Sequence, residues 1–471
     1  MNRPDEYEIG IIGLGAMGRN LLLNMADHGF RAIGLDKDAA KVQLAKSEAG
    51  ANIEATHDIE VFLSQLRKPR AFLLLVPAGA AVDGVLNEIS PLLSPGDLVI
   101  DAGNSHFKDT EIREKLLNKK DICFFGMGVS GGELGARNGP SIMPGGNKEA
   151  YERVRPILES ISAHVNGEPC VTYLGPGSSG HYVKMVHNGI EYGLMQLIAE
   201  TYYLMKTALK MSDEECHEIY QDWNKSELNS YLLEITAQIF LKRDEKTDLR
   251  LIDVVLDVAK QKGTGKWTCQ DAMELQVPVP SIDAAVAARD LSTFEADRKI
   301  AHATLCEPDL VEPFERAPFL NQLRSAYYVS SLITFAQGMA LLQKASATYH
   351  YDLNLESVAR IWRGGCIIRA AVLEPIMSAY HRSAQLSNLL LDSHIGGEVG
   401  KRQADLRAVV QISAGLGFPV PAMMASLAYY DSYRSAWLPA NLIQAQRDYF
   451  GAHTYERVDE AGVFHSDWAN P

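Results

Sequence analysis

Four polar side chains lie at helical spacing within one apolar-flanked run of the chain, K-M-V-H-N-G-I-E. At offsets of zero, three, four and seven, they are Lys184, His187, Asn188 and Glu191. On an α-helix these offsets fall on one stripe. Its ends would be about 10 Å apart along the axis. A lysine base and a carboxylic acid at that separation could act on opposite ends of one small polyol.

The same stripe can also be interpreted as a solvated helix face with charge pairs between turns. Asn188 and Gly189 argue against that interpretation, because both residue types weaken a helix that only needs to be stable. We therefore expect a buried helix with one reactive face. Asn188 and Gly189 would be retained there for a contact whose partner the sequence does not identify.

A lysine that acts as a base must be partly neutral near pH 7. Its pKa must then lie about three pH units below the ordinary value, which corresponds to about 4 kcal/mol of bias from the environment. We expect burial and neighbouring positive charge to supply this bias to Lys184.

The composition describes a globular protein with an acidic surface. Its 471 residues favour two or three domains. Hydrophobic residues make up 46% and charged residues 22%, as in ordinary soluble proteins. The net charge of -14 argues against broad binding to nucleic acid or to anionic membranes. An anionic ligand would need a local basic cluster.

The cysteines indicate neither a disulfide framework nor a zinc ribbon, since they form no C-x-x-C pair. They are Cys123, Cys170, Cys216, Cys269, Cys306 and Cys366. The chain also enters a strand-like run almost at once, and it has no apolar run long enough to span a bilayer. Together these features predict a cytoplasmic protein without a membrane anchor.

The pattern of predicted secondary structure changes once along the chain. From residue 8 to about 175, strand-like runs such as I-G-I-I-G and A-F-L-L-L-V alternate with helical stretches. This alternation predicts a doubly wound, Rossmann-like parallel sheet. After G-P-G-S-S-G at 175–180 the patterns become helical, which marks a boundary. We predict an α/β domain over 1–178, an all-helical domain over 179–440 and a C-terminal tail over 441–471.

A glycine-rich turn, G-L-G-A-M-G, joins the first predicted strand to the first predicted helix. Gly13 permits the tight turn, Gly15 lets a pyrophosphate approach the backbone, and Gly18 lets helix and strand pack closely. The helix N-terminus adds amide donors and a positive dipole end. This context predicts dinucleotide binding. The binding residues of the turn are Gly13, Leu14, Gly15, Ala16, Met17 and Gly18.

The acid that ends the second predicted strand bears on the choice between NAD and NADP. Asp36 would accept hydrogen bonds from the ribose hydroxyls of NAD and repel the 2′-phosphate of NADP. Lys37 could pair with that phosphate, but Asp38 on its other side weakens the pairing. These residues favour NAD, and the alternative is an acid that merely faces solvent.

Two further glycine-rich turns offer exposed amides suited to oxyanions. They are G-V-S-G-G at 128–132 and K-G-T-G-K at 262–266. The second lacks the spacing of a Walker loop, so a plain turn is an equal interpretation of its residues. Arg289, Arg447 and His453, taken singly, are read as surface charge.

The motifs and their order resemble those of decarboxylating 6-phosphogluconate dehydrogenases from end to end. The matching segments are G-L-G-A-M-G-R-N, D-A-G-N-S, G-V-S-G-G-E, S-I-M-P-G-G, K-M-V-H-N-G-I-E-Y, K-G-T-G-K-W-T, W-R-G-G-C-I-I-R and Q-A-Q-R-D-Y-F-G-A-H-T-Y-E. The resemblance implies oxidative decarboxylation of 6-phosphogluconate to ribulose 5-phosphate in the pentose phosphate pathway. It also implies an NAD or NADP cofactor, no metal, and a homodimer with shared active sites.

The resemblance further assigns roles to single residues. It makes Lys184 the general base and acid at C3, and Glu191 the acid at C1. Around the sugar acid it places Asn104, Ser130, Gly131, Gly132, Glu133, His187 and Asn188. At the 6-phosphate it places Tyr192, Lys262, Thr264, Arg289 and Arg447, with His453 reaching in from the tail of a partner. Near the cofactor it adds Val76, Ala78 and Asn104.

Some positions depart from the family pattern. Asp36, Lys37 and Asp38 stand where the family usually has Asn, Arg and Thr around the 2′-phosphate. Pro77 replaces a lysine near the cofactor, which also favours NAD. Leu194 replaces an aspartate, and its residue type alone gives no reason for the change.

Two other classes of protein share parts of this pattern. A simple β-hydroxyacid dehydrogenase acting on a related sugar acid would have the glycine turn and the lysine. It would lack the long helical domain and the tail with Arg447 and His453. A non-catalytic paralogue would have lost a catalytic group, whereas Lys184, Asn188 and Glu191 are all present.

Overall fold

The structure is a computed structural model that describes residues 6–48, 50–305 and 315–468. A seven-stranded sheet forms the centre of its N-terminal part, in the order β3-β2-β1-β4-β5-β6-β7. The strands are β1 Ile9–Ile12, β2 Ala32–Leu35, β3 Ile53–Thr56, β4 Ala71–Leu74, β5 Leu98–Asp101, β6 Cys123–Ser130 and β7 Ser141–Gly145. The pairs from β3 to β6 are parallel, and β7 adds an antiparallel edge. The predicted doubly wound parallel sheet is confirmed.

Helices cover both faces of this sheet. They are α1 Ala16–Asp27, α2 Ala39–Glu48, α3 Ile59–Gln65, α4 Ala80–Ile89, α5 Phe107–Asn118, α6 Gly132–Asn138 and α7 Lys148–Ile161. Successive strand residues point to opposite faces. Leu73 therefore joins one apolar core, while Phe72 and Leu74 join the other. Strand order reverses between β1 and β4, and ligands bind at the carboxyl ends of strands at such a point.

A small hairpin of β8 (His164–Val165) and β9 (Glu168–Pro169) precedes the helical part of the chain. The helices that follow are α8 Ser179–Thr207, α9 Asp213–Trp223, α10 Tyr231–Ile239, α11 Leu251–Val254, α12 Thr264–Glu274, α13 Pro280–Ser292, α14 Glu295–Thr304, α15 Arg316–Tyr349, α16 Leu355–Trp362, α17 Leu373–Arg382, α18 Ser393–Gly415, α19 Pro421–Tyr433 and α20 Ala440–Gly451. α8 packs against α12, α13, α15 and α19, so it is the central helix of this part. The predicted change from alternating strands and helices to an all-helical part is confirmed.

Glycines let the start of α8 press against the sheet. A Cβ added at Gly180 would lie 2.5 Å from the carbonyl oxygens of Gly126 and Met143. A Cβ added at Gly128 would lie 2.3 Å from the Cβ of Lys184. Such approaches need residues without side chains. The glycine backbone of β6 therefore lets Lys184 pack directly on this strand, close to its carboxyl end.

The structure explains two residues of α8 whose purpose the sequence left open. A Cβ added at Gly189 would lie 2.6 Å from Cγ2 of Thr268, so this glycine admits the close approach of α12. Its expected contact is therefore with a neighbouring helix. Leu194 is 5% exposed and belongs, with Leu228 and Phe335, to the apolar core of the helical part.

Within the described ranges, none of the helices combines the length and apolarity needed to cross a membrane. Among the cysteines, Cys306 lies outside the described residues, as do residues 1–5 and 469–471 of the predicted α/β domain and tail. The remaining five cysteines are free thiols. The boundaries that we drew at residues 178 and 440 stay predictions.

We expect Gly189→Ala to lower the thermal unfolding midpoint, because its methyl group would displace the buried Thr268. Overpacking of this kind costs about 1–3 kcal/mol. Calorimetry checks this, with Gly400→Ala as control, since an added Cβ there meets no atom within 4 Å. Thr268→Ser should restore part of the loss in the double variant. An unchanged midpoint in Gly189→Ala would show that α8 and α12 do not depend on this approach.

Candidate active site

The polar stripe of α8 forms one connected group of side chains. Lys184, His187 and Asn188 are buried, and Glu191 is largely covered. Lys184 Nζ donates to Asn188 Oδ1 at 2.7 Å. His187 Nδ1 lies 3.1 Å from Asn188 Oδ1 and 3.8 Å from Glu191 Oε2. The stripe is therefore a buried polar surface, as its composition predicts, and the solvated alternative does not hold.

Burial biases the lysine toward its neutral form. It lowers the pKa of Lys184 below the ordinary value, while the carboxylate of Glu191 acts in the opposite direction. The direction agrees with a lysine that acts as a base. Our expectation of a neighbouring positive charge was wrong for the described residues, since burial alone produces the shift.

The other two ionisable groups of the stripe are also biased toward their neutral forms. Burial and the nearby charge of Lys184 hold the pKa of His187 well below its ordinary value. Burial raises the pKa of Glu191, although Lys184 and Arg289 oppose the change. One end of the stripe is suited to accept a proton and the other to donate one.

The turn after β6 meets this stripe from the side of the sheet. Ser130 is 2% exposed, and its Oγ lies 3.3 Å from His187 Nε2. Gly131 has a φ of +134°, and a Cβ there would lie 2.4 Å from the carbonyl oxygen of Gly365. The backbone amide of Ile367 donates to Ser130 Oγ at 3.4 Å. The loop around Gly365 therefore holds the turn in place.

That loop contains residues to which the sequence gave no role, although W-R-G-G-C-I-I-R was among the motifs. The Trp362 ring lies edge-on to His187, with centroids 5.5 Å apart. Cys366 is fully buried, and its Sγ donates to the carbonyl oxygen of Trp362 at 3.0 Å. Burial raises the pKa of Cys366 to about 12, so it stays a thiol beside Lys184. The motif was visible in the sequence, but it contains no spacing of ionisable residues that would indicate a place in the active site.

A second group of predicted residues continues from the far end of the stripe. Asn188 Nδ2 donates to Thr264 Oγ1 at 3.2 Å, where α12 begins. The Arg289 guanidinium stands 3.6 Å from the centroid of the Tyr192 ring. The cation–π contact positions this guanidinium where its charge interacts with the carboxyl group of Glu191. Lys262 is exposed on the loop that leads into α12.

Other predicted residues lie apart from this group. Glu133 contacts α1, with Oε1 3.4 Å from Asn20 Nδ2 and 3.9 Å from the Arg19 guanidinium. Gly132 follows Gly131 at the start of α6, and Asn104 is exposed just beyond the end of β5. Arg447 and His453 are exposed on the tail. Their described contacts are with Gln444 and Phe450 of the same tail.

A cleft of about 660 Å³ opens at the carboxyl ends of β1, β2 and β4. It is lined by Ile12, Gly13, Gly15, Leu35, Asp36, Lys37, Lys41, His57, Ile59, Leu75, Val76, Pro77, Ala81, Gly84, Val85 and Glu88. Lys41 and His57 are lining residues that the sequence analysis did not name. Ala78 is exposed in the turn that precedes α4.

The geometry of the glycine-rich turn fits a dinucleotide. Gly13 has a φ of +103°, and an added Cβ would lie 2.5 Å from the Leu75 carbonyl oxygen. An added Cβ at Gly15 would meet nothing within 4 Å, so the space before the helix is open. No side chain caps the N-terminus of α1 among the described residues. Its amides are thus available to a pyrophosphate, with Ala16 and Met17 in the first turn.

Hydrogen bonds fix the carboxylate of Asp36 at one end of the cleft. Asp36 Oδ2 accepts from the Leu14 amide at 2.8 Å, and Oδ1 accepts from the Asp38 amide at 2.9 Å. Lys37 Nζ is bound to Glu88 Oε2 at 2.7 Å. Lys41 Nζ lies 3.6 Å from Asp36 Oδ2. Asp36 is therefore fixed at the edge where a ribose would lie.

Over the described ranges, no group of three or more His, Cys, Asp or Glu side chains could hold a metal ion. A dinucleotide cleft at the switch point of the sheet, together with a buried lysine on a helix that packs against the same sheet, is the arrangement of an NAD(P)-dependent dehydrogenase. The comparison with known proteins narrows this class.

Two family models match the chain. The NAD binding domain of 6-phosphogluconate dehydrogenase matches residues 8–175, and the 6-phosphogluconate dehydrogenase C-terminal domain matches residues 180–468. A decarboxylating 6-phosphogluconate dehydrogenase of Synechococcus elongatus is 52% identical over 98% of this chain and 99% of its own length. The NADP(+)-dependent decarboxylating enzyme of Bacillus subtilis is 51% identical over the same shares.

A solved structure agrees with these relatives. The 6-phosphogluconate dehydrogenase of Plasmodium falciparum is 45% identical, with a TM-score of 0.93 over 98% of this chain and 100% of that one. The chain belongs to the 6-phosphogluconate dehydrogenase family, which confirms the resemblance of its motifs. It is an oxidoreductase that decarboxylates 6-phosphogluconate with reduction of NAD(P), and the simpler β-hydroxyacid dehydrogenase is not favoured.

We expect Lys184→Ala to retain substrate binding and to lose turnover by about 10²- to 10⁴-fold, the usual contribution of a general base. Steady-state kinetics with 6-phosphogluconate checks this. Lys206→Ala is the control, since Lys206 lies on the same helix and pairs with Asp213 at 2.7 Å. Near-normal turnover in Lys184→Ala would contradict the role of this lysine.

Proposed function

We propose that Lys184 and Glu191 carry the two proton transfers of the oxidative decarboxylation. The observation that supports this most directly is their burial at opposite ends of one stripe, with pKa values displaced toward the neutral forms. A neutral amine accepts a proton, and a neutral carboxyl group donates one.

The chemistry then follows the charge states. NAD(P) bound in the cleft supplies the acceptor for the hydride from C3. Neutral Lys184 takes the proton of the 3-hydroxyl, and C3 becomes a ketone. Because this ketone is β to the C1 carboxylate, it accepts the electron pair that carbon dioxide leaves behind. Protonated Lys184 donates to the ketone oxygen as carbon dioxide leaves, which gives an enediol and restores the neutral amine. Glu191 then protonates the enediol at the carbon that becomes C1 of ribulose 5-phosphate, while Lys184 takes the proton of the enol hydroxyl, which becomes the ketone of the product.

We assign substrate contacts by their place around the stripe. Ser130, Gly131, His187 and Asn188 surround one end, where a carboxylate and hydroxyls would be held. Tyr192, Thr264 and Arg289 surround the other end. The guanidinium of Arg289 has paired N–H donors that can bind a phosphate in a bidentate manner. Lys262 and the tail residues Arg447 and His453 complete the proposed phosphate site. Gly132 belongs to the same carboxylate-binding turn as Ser130 and Gly131, and the family resemblance places Glu133 and Asn104 beside the sugar acid, with Asn104 also near the cofactor.

We further propose that this chain prefers NAD. The Bacillus subtilis relative is named as NADP(+)-dependent, and NADP+ is named as the cofactor of the Plasmodium falciparum enzyme. In this chain, however, Asp36 is fixed at the ribose edge, and a 2′-phosphate there would face its charge. Lys37 is engaged by Glu88. Lys41 is the cation nearest to Asp36, and its contact with that acid offsets its attraction for a phosphate.

Asp36→Asn should raise the ratio of kcat/KM for NADP to that for NAD, because it removes the charge that repels the 2′-phosphate. Steady-state kinetics with both cofactors measures this ratio. Glu149→Gln is the control, since it removes a carboxylate from an exposed position outside the cleft. A wild type that strongly favours NADP would overturn the proposed preference.

The tail supports a homodimer with shared active sites. Apart from Asp448, the side chains of α20 are exposed or half-buried. They include Leu442 at 61%, Ile443 at 59%, Tyr449 at 66% and Phe450 at 73% exposure. Several large apolar side chains exposed on one short helix are typical of a protein interface. We propose that a second copy of the chain covers it and receives Arg447 and His453.

Mixed dimers test this arrangement. If Lys184 and Arg447 in one site come from different chains, combining Lys184→Ala with Arg447→Ala chains rebuilds one intact site per mixed dimer. We therefore expect coexpressed, differently tagged chains to regain activity above either variant alone. Lys184→Ala with Glu191→Gln is the control without restoration, because both residues lie on α8. Failure of the first pair to regain activity would contradict shared sites.

A further inference from the structure

The carboxylate of Asp448 binds the C-terminal segment to α20 through hydrogen bonds. It is 0% exposed, although the helix that carries it lies open to solvent. Its four described donors are Thr454 N at 2.8 Å, His465 Nδ1 at 2.9 Å, Ser466 N at 3.1 Å and Trp468 Nε1 at 2.7 Å. One side chain thus binds both the beginning and the end of the segment that follows the helix.

The segment between these contacts closes on itself. Tyr455 and Phe464 exchange backbone hydrogen bonds of 2.9 and 2.8 Å. The Tyr455 hydroxyl lies 2.6 Å from Ser466 Oγ, and Gln444 Nε2 donates to the Thr454 carbonyl at 2.6 Å. The tail is therefore held in its fold by contacts within its own chain.

Asp448 also borders both tail residues assigned to the substrate. Arg447 is its neighbour in the chain. His453 lies between Ala452, whose amide donates to the Asp448 carbonyl at 2.9 Å, and Thr454, whose amide donates to Asp448 Oδ1. Ala452 and Thr454 have φ values of +49° and +61°. Such left-handed conformations cost free energy in non-glycine residues and persist where surrounding contacts fix them.

We propose that Asp448 is a positioning residue that preforms the tail, so that Arg447 and His453 reach the substrate phosphate of the partner's site in a fixed arrangement. This inference rests on the proposed function of the tail. Asp448 itself does not touch substrate, because its oxygens are occupied within the tail. Ordering a binding segment in advance strengthens binding by removing the entropy cost of ordering it later.

The charge of Asp448 is maintained by its surroundings. Burial acts to raise its pKa, but the hydrogen bonds from His465, Trp468 and the backbone amides outweigh burial and lower the pKa. Asp448→Asn keeps the shape of the side chain and removes this charge. The variant therefore tests the contacts with little change in volume.

Asp448→Asn should raise KM for 6-phosphogluconate by about tenfold, the effect of weakening charged hydrogen bonds, with a smaller change in kcat. Amide hydrogen exchange of residues 452–468 should become faster. The kinetics should be measured at a protein concentration at which sedimentation shows that the variant has the same mass as the wild type. Asp459→Asn is the control, because Asp459 lies in the same tail and pairs with exposed Arg457 at 2.6 Å.

A double-mutant cycle separates positioning from general stability. In an Arg447→Ala and His453→Ala background, Asp448→Asn should have little further effect on KM, because the groups that it positions are absent. An undiminished effect there would overturn the inference, as would unchanged hydrogen exchange in Asp448→Asn. Faster exchange with unchanged KM would also overturn it. If Arg447→Ala leaves KM unchanged, the proposed function of the tail fails first, and the inference fails with it.

Discussion

The burial of the Lys184 amine is the constraint on which the rest of the site depends. A charged ammonium is costly to remove from water, so the folded state favours the neutral base. The helix can carry this group in its interior because Asn188 Oδ1 accepts from Nζ at 2.7 Å. Glu191 limits the shift, since its carboxylate favours the charged lysine. Each of these two groups therefore affects the proton affinity of the other.

Two separate parts of the chain create that burial. Gly128 of β6 leaves the space that the Lys184 side chain occupies, and Gly131 admits the carbonyl of Gly365. The sheet also carries the cofactor cleft at the carboxyl ends of its strands. Packing α8 on β6 therefore joins the base to the cofactor side, while α12 and α13 bring Thr264 and Arg289 to the other end. The two family domains meet at the reactive helix.

Sequence reasoning recovered what depends on local spacing. The stripe of α8, the glycine turn and the acid at the end of β2 were predicted because each is encoded within one element and its flanking residues. The sequence predicted a parallel sheet, whereas β7 adds an antiparallel strand at its edge, a position at which Pro144 is tolerated. The contacts of Gly189 with Thr268 and of Ser130 with Ile367 join distant segments, so a single sequence gives no spacing from which to infer them. The tail was recognised through family resemblance, but its internal order around Asp448 was not.

The pKa of Lys184 is the most direct test of the account. It can be measured as the pH dependence of Lys184 acylation by a small amine reagent, followed by mass spectrometry on the intact folded enzyme. The account predicts a midpoint below the ordinary lysine value of about 10.4, and a still lower midpoint in Glu191→Gln, which lacks the carboxylate that favours the charged form. An ordinary midpoint that Glu191→Gln leaves unchanged would contradict it.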